Sequence, residues 1–466
     1  MYVLLLLVGF SAASYGVDND DAQLQDYAGS PGWAQSKEQR LTWHSNVKFG
    51  MFIHWGLYAP AGGYWPPNPN TGKKHQELYS EWIRTWAKVD EPEYGNLTKP
   101  LFKPAQGVTD EWAKLAKDAG MKYAVLTTKH HDGYTLFNAK APYSVSNPIT
   151  SSTNISPSGR DLVAEYSHSM KKHGLKLGYY YSLIDWQHPD ALPHMRHWPL
   201  ATNAKHSRYT EYMHGHIDQL LSDYGQVDVL WVDYSSEKYQ GQSWQTRSLL
   251  DAVRKKQPKI LINNRFWHGL DNRKGDFFTP EKRVPATGFP GQSFEVCHTM
   301  NESFGYSHHD NKWKSSKDVI HLLIDIVSKG GNLLLNVGPD AQGHIPTESA
   351  VALRGVGKWL KKYGESIYQT QANPFNQLSF DGRITQKISA EGDTILYLHL
   401  MDWPKNKNLE LIGLKNTILS AGLIGGAALK TTLDERGVQI ALPAQAADKE
   451  SSVIKLVVKG KLEINQ

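Results

Sequence analysis

The sequence predicts an α/β fold in which a (β/α)8 TIM-like barrel is followed by a C-terminal antiparallel β-sandwich. The first observation is a series of short apolar runs, most of which end in a polar residue. The second is that helical patterns such as 110–120 end in glycine before the next apolar run begins, as in a parallel barrel. After residue 368 the pattern changes to closely spaced alternating runs without helical patterns, which is typical of a small antiparallel sandwich.

Six apolar runs are predicted strands of the barrel, and residues 293–297 resemble a further buried strand. The six cover residues 49–53, 123–126, 177–181, 227–231, 260–262 and 333–335. The polar residues that follow them are His54, Lys129, His130, His131, Asp132, Asp185, Asp233, Asn264, Arg265 and Asn336. Catalytic groups of barrel enzymes lie at the carboxyl ends of the strands, so these side chains are expected at one face. Helices are predicted at 110–120, 161–174 and 209–224, and long insertions at 61–104 and 138–158 are expected on that same face.

Two domain boundaries are predicted, at residues 17 and 371. Residues 3–10 are apolar and precede small residues, which predicts a signal peptide over residues 1–17 and a secreted or periplasmic protein. That run is too short to span a bilayer, and no later segment qualifies as transmembrane. Residues 18–371 would form the catalytic barrel after a polar lead-in to about residue 41, and residues 372–466 the sandwich. Its strands are expected from residue 388 onward and at 394–400, 409–411, 438–442 and 453–458.

The composition and charge argue against some classes of function and are compatible with others. The net charge is +5, and the Lys and Arg residues are scattered without a basic stripe, so nucleic-acid binding is unsupported. The chain has 15 Trp and 23 Tyr residues, whose rings either fill the core or line a sugar site. Cys297 is the only cysteine, which excludes an intramolecular disulfide and a cysteine-based metal cluster.

Asp233 is the first candidate catalytic carboxylate. Burying a carboxylate at the end of a strand costs free energy unless the group is used or paired. Trp231, two residues earlier, would point to the same side of the strand. The alternative is that Asp233 caps the following helix. A carboxylate beside an aromatic ring suits attack on the anomeric carbon of a sugar. Glycoside hydrolysis usually needs a second carboxyl group, and Glu281 in a loop and Glu295 in a strand are the candidates for it. We favour Glu281, because an acid catalyst in a partly apolar loop can reach the leaving oxygen.

The histidines allow two interpretations. His54, His130, His131 and Asp132 are of the residue types that bind zinc. However, adjacent histidines on a strand point to opposite faces, and imidazoles serve sugar hydroxyls equally well. We therefore expect no metal. Arg265 offers a fork of donors for hydroxyls or a carboxylate, or forms an ion pair at the rim of the barrel.

Nine short motifs occur in order along the chain. They are FGMFIHWG (49–56), EW (81–82), KHHDG (129–133), YYS (180–182), DVLWVD (228–233), NNR (263–265), GDFFTPE (275–281), FEVCHT with FGY (294–306) and GGNLLLNVGPDAQG (330–343). Together they resemble the α-L-fucosidases of glycoside hydrolase family 29, from about residue 43 to residue 368. The C-terminal sandwich is also similar to the second domain of that family.

The resemblance implies an exo-acting enzyme that releases terminal α-L-fucose with retention, by double displacement. Asp233 would be the nucleophile, and Glu281, in a Thr-x-Glu loop, the acid/base, with Glu295 as the alternative. The implied fucose-binding residues are His54, Glu81, Trp82, His130, His131, Tyr180, Trp231, Arg265 and Phe304, of which Phe304 would pack on the sugar's methyl group. No metal or organic cofactor is implied. The partner would be a fucosylated glycan, which includes sulfated or L-galactose-containing ones.

Two residues depart from the family pattern near the implied pocket. Phe294 stands where many relatives have Trp, and Tyr234 follows the nucleophile where a small residue is common. An α-L-galactosidase acting on algal galactans therefore stays open, because an apolar pocket rejects one added hydroxyl only weakly. A non-catalytic carbohydrate-binding protein and a metal-dependent hydrolase are further alternatives, although the presence of both Asp233 and Glu281 argues against the former.

Overall fold

One parallel sheet of seven strands organises the larger part of the chain. This computed structural model describes residues 31–67, 74–90, 92–143, 160–192, 203–269, 274–283 and 285–465. The strands are Phe49–Ile53 (β1), Tyr123–Lys129 (β2), Lys176–Ser182 (β3), Val229–Asp233 (β4), Leu261–Ile262 (β5), Glu295–Thr299 (β6) and Asn332–Val337 (β7). Their order in the sheet is β5-β4-β3-β2-β1-β7-β6, and all neighbours are parallel. All six predicted runs and the segment near 293–297 form strands here.

A short stretch joins the two edges of this curled sheet. Phe277 forms a parallel bridge with Asn263 just beyond β5, and Glu281 forms one with Cys297 of β6. Pro280 lies within the stretch and has no N–H to donate, so the pairing does not continue as a regular ladder. In the residues that the structure describes there are thus seven regular parallel strands instead of the expected eight, and residues 277–281 lie between the two edges.

Helices cover the outside of the sheet. They are Pro31–Val47 (α1), Val108–Asp118 (α2), Leu162–Lys172 (α3), His206–Asp223 (α4), Thr246–Lys256 (α5), Ser316–Ser328 (α6) and Thr347–Tyr363 (α7). The predicted helices at 110–120, 161–174 and 209–224 are confirmed as α2, α3 and α4. Asp161 caps α3 by accepting a hydrogen bond from the Ala164 N–H at 2.9 Å, and Ser315 and Asp318 form a capping box at α6. No helix among the described residues has the length and apolar character needed to cross a bilayer.

The insertion after β1 lies over the carboxyl ends of the strands. It contains a two-stranded ribbon and several short helical segments. These are Tyr64–Trp65 and His75–Gln76, then Ser80–Trp82, Ile83–Trp86, Glu93–Thr98 and Lys99–Leu101. Most of the second insertion, 138–158, and the predicted signal peptide, 1–17, lie outside the described residues. Short 3-10 helices also occur at Gly241–Trp244 and Gly364–Ser366.

Two antiparallel sheets follow the parallel one. Their strands are Gly382–Ile388 (β8), Thr394–Leu400 (β9), Asn408–Ile412 (β10), Ile418–Leu423 (β11), Thr431–Leu433 (β12), Gly437–Ala441 (β13) and Ser452–Val458 (β14). The orders are β8-β9-β14-β11 and β10-β13-β12, and their inner faces share a separate apolar core that includes Leu398, Leu411 and Ile454. The expectation of a strand from residue 388 onward is wrong, because Ile388 ends β8. The boundary at residue 371 stays a prediction, since Gln371 itself bridges to Gln386 of β8.

Candidate active site

A small cavity of about 130 Å³ opens at the carboxyl ends of the parallel strands. Eleven of the twelve side chains proposed from the sequence line it. They are His54, Glu81, Trp82, His130, His131, Tyr180, Trp231, Asp233, Arg265, Glu281 and Phe304. The convergence follows from strand register, because Tyr180 is aligned with Trp231, and Ser182 with Asp233 at the end of β4.

Asp233 is held by two donors in a largely buried position. Its Oδ1 accepts a hydrogen bond from Arg265 Nη1 at 2.8 Å, and its Oδ2 accepts one from the Tyr180 hydroxyl at 2.8 Å. The Nε2 atom of His131 lies 4.0 Å from the same Oδ2. Burial acts to raise the pKa of the Asp233 carboxyl, but the Arg265 charge and these hydrogen bonds outweigh it and hold the pKa below its usual value. Asp233 is therefore ionised at neutral pH.

Glu281 faces the same guanidinium from the loop side. Its Oε2 lies 3.5 Å from Arg265 Nη2, and its side chain is 44% exposed, against 14% for Asp233. The parallel bridge between Glu281 and Cys297 fixes the backbone at this point. One carboxylate is thus deep in the cavity and the other stands at its mouth, with Arg265 between them.

Arg265 is locked in orientation by its other contacts. Its Nε donates to Thr279 Oγ1 at 2.9 Å, and its Nη2 donates to the Thr279 carbonyl at 3.0 Å. The guanidinium carbon lies 4.6 Å from the ring centre of Trp231. Burial acts to lower the pKa of Arg265, but the Asp233 charge overcomes this and raises it, so the cation is permanent.

The histidines deepest in the cavity are neutral. Burial lowers the pKa of His54 to about 4, and burial also holds the pKa of His130 well below its usual value. His54 Nδ1 lies 2.6 Å from Asn336 Oδ1, and His131 Nδ1 lies 2.7 Å from Ser182 Oγ. His130 Nδ1 has no hydrogen-bond partner among the described residues. The neutral imidazoles of His54 and His130 can each donate a hydrogen bond to a hydroxyl group or accept one from it.

Glu81 is a buried carboxyl group on the opposite wall. Burial raises its pKa to about 7, and its Oε2 accepts a hydrogen bond from the Gly305 N–H at 2.9 Å. A Cβ on Gly305 would lie 3.1 Å from this oxygen and 2.4 Å from Ser80 Oγ, so only glycine fits this close approach. The neighbouring Phe304 ring packs 4.8 Å from that of His54.

A known family covers most of the chain. The family model described as Alpha-L-fucosidase matches residues 18–365. The chain belongs to the α-L-fucosidase family. Tissue α-L-fucosidase of Mus musculus is 30% identical over 433 residues, which is 89% of this chain and 90% of the relative.

Solved structures of this family superimpose on the chain. The α-L-fucosidase isoenzyme 1 of Paenibacillus thiaminolyticus has a TM-score of 0.78 and 36% identity, and the match covers 91% of this chain and all of that one (100%). A GH29 α-L-fucosidase of Bacteroides thetaiotaomicron, trapped as a covalent intermediate with 2-fluoro-fucosyl fluoride, has a TM-score of 0.79 and 25% identity, with 91% and 96% covered. Both resemble the chain over the parallel sheet and beyond it.

Glu295, the alternative acid/base, lies away from the cavity of this family member. It is the first residue of β6 and so stands at the amino end of the sheet. Its buried carboxylate accepts hydrogen bonds from the hydroxyl of Tyr123 and from Trp231 Nε1 at 3.1 Å, and it lies 3.0 Å from His44 Nε2. All three partners are protein groups, and Trp231 among them also lines the cavity.

The zinc interpretation does not fit the geometry. The carboxylate of Asp132 accepts a hydrogen bond from the Tyr94 hydroxyl at 2.8 Å. Within the described ranges, no group of three or more His, Cys, Asp or Glu side chains is placed to hold a metal ion.

Three further side chains line the cavity and were not proposed as site residues. Phe52 and Cys297 belong to β1 and β6, and Phe52 is two positions from His54, which also lines the cavity. A period of two along β1 would have found Phe52. Tyr234 was visible in the sequence only as a departure from the family pattern.

Proposed function

We propose that the protein is a retaining, exo-acting glycoside hydrolase that releases terminal α-L-fucose from oligo- or polysaccharides. The observation that carries this proposal is the pair of carboxylates on one guanidinium, Asp233 at 2.8 Å and Glu281 at 3.5 Å from Arg265. Both lie in one cavity, as a double displacement requires. Membership of the α-L-fucosidase family supports the sugar, and the covalent intermediate of the Bacteroides relative supports the reaction type.

In the first step Asp233 attacks C1 of the sugar while Glu281 gives its proton to the glycosidic oxygen. The C1–O bond to the leaving group breaks, and an ester bond between C1 and Asp233 forms. The hydrogen bonds from Tyr180 and Arg265 keep Asp233 ionised and oriented for this attack. Glu281, at the mouth, can reach the oxygen of a group that extends towards solvent.

In the second step Glu281, now a carboxylate, takes a proton from water. The resulting hydroxide attacks C1, the ester bond breaks, and Asp233 is released as a carboxylate. Two inversions give net retention, and retaining glycosidases in general hold their two carboxyl groups about 5–5.5 Å apart. After one turnover Asp233 is again a carboxylate and Glu281 again carries a proton, while the glycosidic bond has been hydrolysed by one water molecule.

The cavity wall suits a deoxy sugar held by neutral donors. His54 and His130 are neutral and buried, so each can pair with a hydroxyl without desolvating a charge. The Phe304 ring offers an apolar surface beside them for a methyl group. The small volume, closed beneath by Trp231 and Tyr180, supports binding of one terminal ring.

An α-L-galactosidase is the second candidate. The two sugars differ by one hydroxyl at C6, which an apolar wall rejects only weakly. The ammonium of Lys282 lies 4.9 Å from the centre of the Phe304 ring and would offer that hydroxyl a donor. Initial rates on the two aryl glycosides of the wild-type enzyme separate these candidates.

We further propose an architecture and a location for the protein. Residues 277–281, bridged to both sheet edges, would take the place of the eighth strand and close the barrel. The barrel domain would end at residue 371. The apolar run at residues 3–10 supports export by a signal peptide. Mass spectrometry of protein recovered from the medium or periplasm would identify its first residue, and an uncleaved Met1 would contradict export by this route.

Chemical rescue tests the two catalytic assignments. With azide and an activated aryl fucoside, Asp233→Ala should form the β-fucosyl azide, because azide replaces the nucleophile and inverts C1 once. Glu281→Ala should form the α-fucosyl azide, because azide then attacks the ester intermediate. NMR of the product distinguishes the anomers. The α-azide from Asp233→Ala and the β-azide from Glu281→Ala would overturn the assignments. Rescue of Glu295→Ala by azide would assign the acid/base role to Glu295 instead.

A further inference from the structure

Two residues with unusual backbone conformation follow the two proposed catalytic carboxylates directly. Tyr234, after Asp233, has φ +76°, and Lys282, after Glu281, has φ +52°. The left-handed region is unfavourable for a residue with a Cβ, and such strain persists only where surrounding contacts impose it. Both residues therefore occupy positions at which a glycine would be easier to accommodate.

The backbone around Tyr234 is fixed on both sides. The Asp233 carbonyl accepts a hydrogen bond from the Leu183 N–H at 2.8 Å. On the other side, Ser235 Oγ donates to the Arg265 carbonyl at 2.9 Å and accepts a hydrogen bond from Trp244 Nε1 at 2.9 Å. These contacts impose the left-handed turn, which directs the Tyr234 ring to the cavity wall.

The Tyr234 ring belongs to a set of partly exposed rings that we call the outer arc, Tyr234, Trp82, Trp86 and Tyr79. Successive ring centres along it lie 5.7, 5.9 and 6.2 Å apart. Its far end meets Lys282, whose ammonium donates to the Tyr79 hydroxyl at 3.0 Å. The outer arc thus connects the two left-handed residues along the mouth, whereas Tyr180 and Trp231 are buried beneath.

We propose that Tyr234 and the outer arc form a subsite for the leaving group, in which a second sugar ring stacks on Tyr234. This rests on the proposed function. Glu281 is 44% exposed and protonates the departing oxygen, so the group attached to that oxygen lies at the mouth, outside the cavity. Aromatic faces pack well on the C–H faces of pyranose rings. The ligand class is therefore a pyranose of a fucosylated oligosaccharide.

Substrates with and without a second ring test this subsite. We would measure kcat/KM for α-L-fucosyl fluoride, whose leaving group has no ring, and for a set of α-L-fucosyl disaccharides that differ in linkage. In Tyr234→Gly, the ratio of disaccharide to fluoride kcat/KM should fall about fivefold for the best disaccharide. In Tyr234→Phe, which keeps the ring, the ratio should change by less than about twofold.

A matched control is Tyr143, a second tyrosine with positive φ (+67°) among the described residues, which does not line the cavity. Tyr143→Gly should leave the ratio unchanged, which controls for removal of a strained tyrosine. If the ratio in Tyr234→Gly stayed at the wild-type value, whether or not kcat/KM fell on both substrates, the subsite alone would be overturned. If the wild-type enzyme cleaved neither fluoride nor disaccharide, the proposed function would fail, and the subsite with it.

Discussion

The hydroxyl of Tyr180 donates a hydrogen bond to Oδ2 of Asp233 over 2.8 Å. The Tyr180 ring is stacked between two others, with interplanar angles of 12° to His130 and 22° to Trp231. The donor is therefore rigid, and its direction is set by packing that precedes any substrate contact. A carboxylate held in this way keeps its lone pair aimed at one point in the cavity.

Replacing Tyr180 by Phe should lower kcat/KM on an aryl fucoside by about tenfold or more. The variant loses one hydrogen bond to a charged acceptor while it keeps the stacked ring, so the melting temperature should change little. Tyr181→Phe is the matched control, because its hydroxyl lies 3.1 Å from His216 Nδ1, away from the cavity. Equal kcat/KM in both variants and the wild type would show that this hydrogen bond has no catalytic effect.

Glu281→Gln should abolish proton donation without destabilising the protein. On substrates with poor leaving groups kcat/KM should fall by about a hundredfold or more, but on fucosyl fluoride by less than about tenfold, since fluoride needs little protonation. The side chain is 44% exposed, so the free energy of unfolding should change by less than about 0.5 kcal/mol. A uniform loss on all substrates would contradict the acid/base role.

Glu295→Gln should show the opposite pattern. Its carboxylate is buried and satisfied by His44, Tyr123 and Trp231, so the substitution should lower the free energy of unfolding by about 2 kcal/mol or more. The ratio of kcat/KM on poor and good leaving groups should stay at the wild-type value. Urea denaturation and the same substrate series measure both effects, and a changed ratio at unchanged stability would refute the prediction.

The Glu81 carboxyl should make stability depend on pH. Its pKa is raised by burial from 4.5 to about 7, so the folded state binds this proton more tightly than the unfolded state does. The free energy of unfolding should therefore decrease as the pH rises between these two values, by up to about 3 kcal/mol. Glu81→Gln, which cannot ionise, should remove this decrease. Urea denaturation at about pH 5 and about pH 8 compares the two proteins, and equal slopes with pH would contradict the prediction.

Treatment with EDTA should leave kcat unchanged. Asp132, the carboxylate next to the histidine pair in the sequence, is occupied by the Tyr94 hydroxyl, and its backbone carbonyl accepts a hydrogen bond from Arg84. The site residues therefore do not converge on a common ion position. A loss of kcat in EDTA that zinc restores would support the metal-dependent hydrolase instead.

The sequence could predict the wall of the cavity because strand periodicity is local. Trp231 and Asp233 are two residues apart and both line the cavity, as the period of two requires. His54 and Arg265 follow apolar runs and reach the same place, since parallel strands end at one face of the sheet.

The sequence could not predict features set by tertiary contacts. The sequence favours Glu281 over Glu295 because Glu281 lies in a loop, but it does not show where each carboxyl group ends up. In the structure Glu281 lines the cavity, whereas Glu295 is the first residue of β6 and does not line it. The left-handed turn at Tyr234 is imposed by partners from Leu183 and Arg265, which are far away along the chain. The pairing of residues 277–281 depends on distant partners, Asn263 for Phe277 and Cys297 for Glu281, and Pro280 between them has no N–H to donate.

The position of Arg265 between two carboxylates has a consequence for charge balance during turnover. In the proposed reaction Asp233 is the counter-ion of Arg265 before bond cleavage, while Glu281 carries a proton. Once Asp233 is esterified, Glu281 is ionised and takes over as the counter-ion. The catalytic cycle thus transfers a single negative charge from one side of a stationary cation to the other, so that Arg265 has a carboxylate counter-ion both before and after the ester forms.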